Sequence, residues 1–350
     1  MKNSRKLVFV VAAVAVMSLL TIGCGADDKK SSKNGDLFAE VIDSVASAVS
    51  EGIAESTANF ASFKKETSQG IGSKFGIGEI VMFQNKLYTT SQGGLIVYDF
   101  DTKKNCVIQS EESFEALTVH DGSVYAGGSS LYKVVGEELE KQPDQFEGSI
   151  TELCSYGYRL MVGTDNGLYS VGIFGKESLM SDFPVSAMVP ENEALWIGTD
   201  GAGLWRWNGE EFQKRHLRRD TTLFDTILSL DFQHNLLYAG SVNGLHIYNG
   251  GSWKTYDETS GLTSNNILDI DASGWTAYIV TDAGLFSLYN DDLQEVENLE
   301  GYDVNSVKVR GTRVIMGTET GGIISKRGKS INVLVSPDQD DKPEILTSAN

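Results

Sequence analysis

The chain has 350 residues, a formal net charge of −19 and a hydrophobic fraction of 41%. That length holds one large domain or two ordinary ones, and the apolar fraction is too low for a protein with many membrane spans. A chain this acidic repels a phosphate backbone, which excludes nucleic acid as a partner.

Lys2, Arg5 and Lys6 precede a mostly apolar run, Leu7 to Ile22. The run is short for a membrane span and suits the apolar core of a signal peptide. It ends at Leu20-Thr21-Ile22-Gly23-Cys24. This stretch resembles a lipobox, in which aliphatic or small residues and a glycine precede the cysteine that receives the diacylglyceryl group. Thr21 stands where leucine is more usual. The resemblance implies a signal peptide over 1–23 and a mature lipoprotein acylated (palmitate-type chains) at Cys24. More than one acyl chain makes membrane attachment stable, because a single chain holds only marginally. The residue after the cysteine is Gly25. In a diderm bacterium the lack of an aspartate there favours the outer membrane. The alternative is an ordinary secretory signal with a chance cysteine.

Residues 24–35 are polar and read as a flexible tether. From 36 to 64, Phe38, Val41, Val45, Val49, Ile53, Phe60 and Phe63 mark the stripe of an amphipathic helix. It reads as a stalk or, alternatively, a docking helix. Its polar face, with Asp43, Glu51 and Glu55, argues against anionic lipid.

From 77 to 335 the chain repeats itself. A strand-like run ends in a small residue, and a Gly-hydrophobic pair follows a few residues later. Leu160-Met161-Val162-Gly163-Thr164-Asp165 leads to Gly167-Leu168, and Leu195-Trp196-Ile197-Gly198-Thr199-Asp200 leads to Gly203-Leu204. Equivalent anchors fall at Thr90, Gly127, Gly163, Gly198, Gly240, Val280 and Gly317. This period fits four short antiparallel strands per unit, so the sequence predicts a seven-bladed β-propeller. The second strand of each blade should be buried on both faces and therefore reads as a continuous apolar run. The glycine at its end is expected to ease the following turn, and the Thr-Asp to bond turn amides. Ser330 to Val335 supplies a fourth strand for the last blade, so the ring should close without strand exchange. Residues 336–350, with Asp338, Asp340 and Asp341, read as a disordered acidic tail.

The run Leu195 to Leu204, and Gly261-Leu262-Thr263-Ser264-Asn265-Asn266-Ile267 ahead of a first strand, resemble the two-component regulator propeller repeat family. The resemblance spans most of the chain. It implies a periplasmic sensing or binding propeller. Such repeats are often fused to a histidine kinase, which this chain lacks.

The search for chemistry returns no catalytic set, no cofactor motif and no confident metal site. Gly322 to Ser330 imitates a phosphate loop, but a strand follows it where a helix is needed. The four histidines read as satisfied surface residues, and Cys106 and Cys154 as unpaired thiols. Two surface features remain. Asp165, Asp200, Asp282 and Glu319 occupy equivalent loops between second and third strands, as turn caps or as a cation-attracting rim. Lys214, Arg215, Arg218 and Arg219 form the densest basic cluster, either a solvated run or a contact for an acidic partner. The reading is a membrane-anchored, non-enzymatic scaffold that uses a propeller face to bind protein. The alternatives are an extracytoplasmic ligand sensor acting on a separate membrane signalling protein, and a propeller lyase or hydrolase. The expected location is the cell envelope.

Overall fold

A computed structural model of the chain describes residues 78–91, 93–217 and 226–336. The described chain folds into seven four-stranded antiparallel sheets, each made of four consecutive strands, and these are the blades of a β-propeller. The strands run from Ile80 to Val335. Cys24, Arg218 and Arg219, together with the expected signal peptide, tether, helix and tail from residue 337 onward, lie outside the described residues.

Burial falls from the centre of each blade outward. In blade four every residue of the second strand, Ala194–Thr199, is buried. In blade three the fourth strand, Gly175–Ser181, is exposed along most of its length. A second strand is covered on both faces by neighbouring blades, so no polar alternation is needed there. Blade-to-blade packing is divided among seven apolar clusters, one at each junction. The junction of blades three and four, for example, joins Met161 and Leu168 to Val185, Leu195 and Ile197.

The repeating glycine at the second-strand anchor has a different role from the one expected. Gly127, Gly163, Gly198 and Gly240 are not in the left-handed backbone region. What they provide is room. A Cβ on these residues would lie 2.4 Å from Ile150 Cγ2, 2.5 Å from Val185 Cγ1, 2.6 Å from Ile227 Cγ2 and 2.6 Å from Ile267 Cγ2, respectively. Each contact is with the aliphatic residue that opens the first strand of the next blade. The glycine is therefore a blade-to-blade contact, and after Gly163, Gly198 and Gly240 the turn is held by the hydroxyl of the next residue. Thr164 Oγ donates to the carbonyl of Gly167 and accepts the N–H of Asn166, both at 3.1 Å. Ser241 and Thr281 bridge their turns in the same way.

The ring closes without strand exchange, as expected. Ile80, Leu87 and Tyr98 of blade one pack on Ile315, Ile323 and Val335 of blade seven. The Arg310 guanidinium lies 3.9 Å from the Phe100 ring centroid and bonds Asn85. Strand alternation gives the ring two faces. The loops between second and third strands share one face with the inter-blade connectors, here the connector face. The tight turns that join first to second and third to fourth strands form the other, the hairpin face.

Candidate functional site: the axial carboxylates and the connector face

The first strand of every blade lines the ring axis, with one edge unpaired by its own sheet. Such an edge leaves backbone N–H groups in need of acceptors. Five carboxylates supply them, each reaching forward to the next blade. Glu79 Oε2 accepts the N–H of Leu117 at 2.6 Å, and Glu152 Oε1 that of Met188 at 3.4 Å. Asp231 Oδ2 accepts from Ala272 at 2.5 Å, Asp269 Oδ2 from Val307 at 2.8 Å and Asp271 Oδ2 from Val309 at 2.9 Å. The other junctions use neutral or cationic groups. His120 Nδ1 meets Ser155 Oγ at 2.9 Å, Ser186 Oγ donates to the Ile227 carbonyl at 2.6 Å, and Arg310 reaches Asn85.

Burying acids together raises their affinity for protons. Burial pushes Glu79 up to about 8, against the pull of the Leu117 N–H, with the charge of Asp269 adding to the rise. Burial raises Asp269 to about 7, opposed by the Val307 N–H and by Lys308. Glu152 is held well above the usual carboxylate range by burial and then by the charge of Glu79. Asp231 is raised by burial, partly countered by the Ala272 N–H. Among the described residues, Lys308 is the cation bonded into this set, through Asp271. Burial works against its charge, but the attraction of Asp271 and the neighbouring aspartates outweighs it, and Lys308 rises above its ordinary value.

Raised acids in a buried cluster are candidate proton donors. Here each of the five carboxylates is engaged with a backbone amide across a blade junction, which is the pattern of a structural network. No group of three or more His, Cys, Asp or Glu among the described residues is placed to hold a metal ion. The histidines divide in a way the sequence did not suggest. His246 is buried, 2% exposed, with Nε2 3.1 Å from Ser241 Oγ and Nδ1 3.0 Å from Thr255 Oγ, so it is not a surface residue. His234 stacks on the exposed Trp275 at 4.4 Å. Cys106 and Cys154 are unpaired, and burial raises both thiols.

The four rim acids lie on the connector face, in blades three, four, six and seven. They tie their loops to the segment leading into a first strand. Asp165 Oδ1 accepts the N–H of Ser149 at 3.0 Å, and Asp200 Oδ1 the hydroxyl of Thr226 at 3.0 Å. Asp282 Oδ2 accepts from Asn266 at 3.4 Å, and the Glu319 N–H donates to the Asp303 carbonyl at 2.9 Å. Their surroundings are acidic as well. Each inter-blade connector described in full carries an exposed acid, such as Glu111, Glu147, Asp182, Glu258 and Glu300, and the described loops of this face hold no lysine or arginine. Of the basic cluster, Lys214 and Arg215 end the outer strand of blade four, at the perimeter. Lys214 Nζ lies 5.7 Å from the Trp205 ring centroid, and Arg215 donates to Gln213 at 3.0 Å. The hairpin face differs in kind. The turn joining the third and fourth strands of blade three carries Ile173 and Phe174, 80% and 93% exposed, beside the exposed Tyr158.

No protein-family model and no curated protein matches the sequence. Solved structures match the fold. The extracellular domain of the putative one-component system BT4673 from B. thetaiotaomicron aligns with a TM-score of 0.60 at 17% identity, over 70% of this chain and 37% of that one. The chain thus spans little more than a third of that domain. The WD40 β-propeller domain of Doa1 aligns with a TM-score of 0.59 at 14% identity, over 73% and 94%. YCF48 bound to D1 peptide aligns with a TM-score of 0.58 at 11% identity, over 73% and 93%.

Proposed function

We propose that this protein is a non-enzymatic binding or scaffolding lipoprotein, held at a membrane through acylated Cys24, that docks a basic protein surface on its connector face. The observation that carries the reading is the one-sided charge of that face: acids in every fully described connector and no lysine or arginine among its described loops. A surface whose loops carry mostly acids attracts the opposite sign and speeds encounter. Broad loop-built faces on rigid rings are suited to binding, and the solved propeller that resembles this one with a peptide bound is in keeping with that use. The non-enzymatic part rests on the axial carboxylates, each of which accepts a backbone N–H across a blade junction. The second reading is a ligand-sensing propeller that acts on a separate membrane signalling protein. It is favoured by the likeness to the extracellular domain of BT4673.

The test has two arms. Cys24→Ala should move the protein from the membrane to the soluble envelope fraction, and retention in the membrane would remove the anchor. The triple reversal Asp182→Lys, Glu258→Lys, Glu300→Lys should abolish binding of the partner while leaving the fold intact. Unchanged binding, with no dependence on salt, would remove the connector face as the docking surface.

A further inference from the structure

The axis joins two facts that neither a docking scaffold nor a sensor requires. Carboxylates bridge four of the seven blade junctions there, and among the described residues acidic groups outnumber basic ones. Blade one contributes Glu79, blade three Glu152 and the Cys154 thiol, blade five Asp231, and blade six Asp269 and Asp271. Tyr238 and Tyr278 of the adjoining second strands face Asp231 and Asp271 in the ladder. Blade seven brings Lys308, and Arg310 sits further along the same strand, engaged with blade one. Among the described residues, blades two and four bring no charged side chain to these register positions, with Glu115 one residue toward the connector face. Their residues there are Ala116, Thr118, Ala187 and Val189, while His120 and Glu191 lie toward the hairpin face. Glu79, Glu152 and Asp269 are equivalent in register, opposite the second-strand anchors Thr90, Gly163 and Val280. They therefore converge at one height on the axis.

We propose that these three acids form a proton-linked clasp: Glu79, Glu152 and Asp269 hold the ring closed in a protonated state, and releasing their protons loosens the junctions they bridge. The amide bonds keep the acids at the axis in either state. What changes is the repulsion among them, with Lys308 offsetting only part of it. The raised proton affinities of Glu79, Glu152 and Asp269 agree with this geometry. The sign follows from linkage. A carboxyl that binds its proton more tightly in the folded state gives stability that is complete below its unfolded value and is lost as pH rises through its folded value. For Glu79 that interval runs from 4.5 to about 8. Over the upper part of this range the clasp opens.

The experiment is the pH dependence of the unfolding equilibrium of the folded chain between pH 6.5 and 8. The window lies below most ionisation of cysteine, tyrosine and lysine. The unfolding constant should rise about tenfold per pH unit for each proton released on unfolding. In Glu79→Gln the slope should fall by about one decade per unit, because the amide still accepts the Leu117 N–H but carries no titrating proton. Asp269→Asn should act in the same direction. Hydrogen exchange of the Leu117 and Val307 amides, corrected for intrinsic rate, should accelerate about tenfold over the same window in the wild type. A flat unfolding constant in the wild type would overturn the clasp. So would an undiminished slope in both variants. If neither variant folds, unaccelerated exchange at Leu117 and Val307 in the wild type overturns it.

Discussion

Gly127→Ala is the simplest perturbation of the ring, because only one atom is added and the backbone there is not left-handed. The new Cβ would lie 2.4 Å from Ile150 Cγ2, 3.0 Å from Ile150 Cβ and 3.4 Å from Leu153 Cδ1. Ordinary carbon contacts are about 3.5–4.0 Å, so Ile150 must retreat by about 1 Å. It has little room, being fully buried in the cluster of Ala116, Leu131, Leu153, Leu160 and Val162. Overpacking of this kind costs about 1–3 kcal/mol. A Gly→Ala change recovers about 0.4–1 kcal/mol through the unfolded chain. The expected net loss is about 1–2 kcal/mol, read as a Tm lowered by about 2–8 °C for a domain of this size. The control is Ile150→Ala, which by itself costs about 2–5 kcal/mol. In that background the added methyl meets a smaller neighbour, so Gly127→Ala should cost at least about 1 kcal/mol less than in the wild type. Thermal and denaturant unfolding of the four chains gives the cycle. The contact explanation fails if Gly127→Ala costs the same in both backgrounds, or if it stabilises the wild type.

Asp165→Ala removes the acceptor of the Ser149 N–H at an exposed loop and should cost about 0.5–1.5 kcal/mol by chemical denaturation. Ile173→Ser with Phe174→Ser changes a turn already in water, so stability should stay within about 0.5 kcal/mol of the wild type while surface apolarity drops. Replacing Lys308 by Met removes the cation that holds Glu79 and Asp269 down, so the pH-dependent loss of stability should extend to higher pH than in the wild type. On the acid side, Asp257 is held low by the hydroxyl of Thr259, and Asp291 by Lys254 and the Tyr256 hydroxyl. Their contribution is present at neutral pH and is lost as pH falls below their unfolded value. Together with the axial acids, which act with the opposite sign, this places the stability maximum near about pH 5 in a series of melting curves.

Much of the fold was legible because each blade repeats the same physical demand. A strand covered on both sides must be apolar throughout, and Leu160-Met161-Val162 and Leu195-Trp196-Ile197 show it without any partner in view. The threonine after the anchor was also legible, since a hydroxyl that closes its own turn is a local feature. The glycine before it was misassigned. The group it accommodates belongs to the next blade, and Gly127 and Ile150 are adjacent only once the ring is built. The axial acids were missed for a related reason. Glu79, Glu152 and Asp269 stand far apart in the chain, and each one looks like an ordinary strand polar residue. A signal was present: the three occupy equivalent positions when the repeats are aligned on Thr90, Gly163 and Val280. The rim acids were placed on their loops, but the acidity of the whole face emerges only when the connectors are assigned to the same side.

The most direct measurement of the docking account is site-specific photo-crosslinking on the membrane-anchored full chain. A photoreactive residue at Glu258 or Asp165 samples the connector face, and one at Thr312 or Glu137 samples the hairpin face. The expected result is a discrete partner adduct from the connector-face positions alone, lost when Asp182, Glu258 and Glu300 are reversed to lysine, with the probe then at Asp165. Adducts formed equally from the hairpin face, or adducts that survive the charge reversal, would contradict docking on the acidic face.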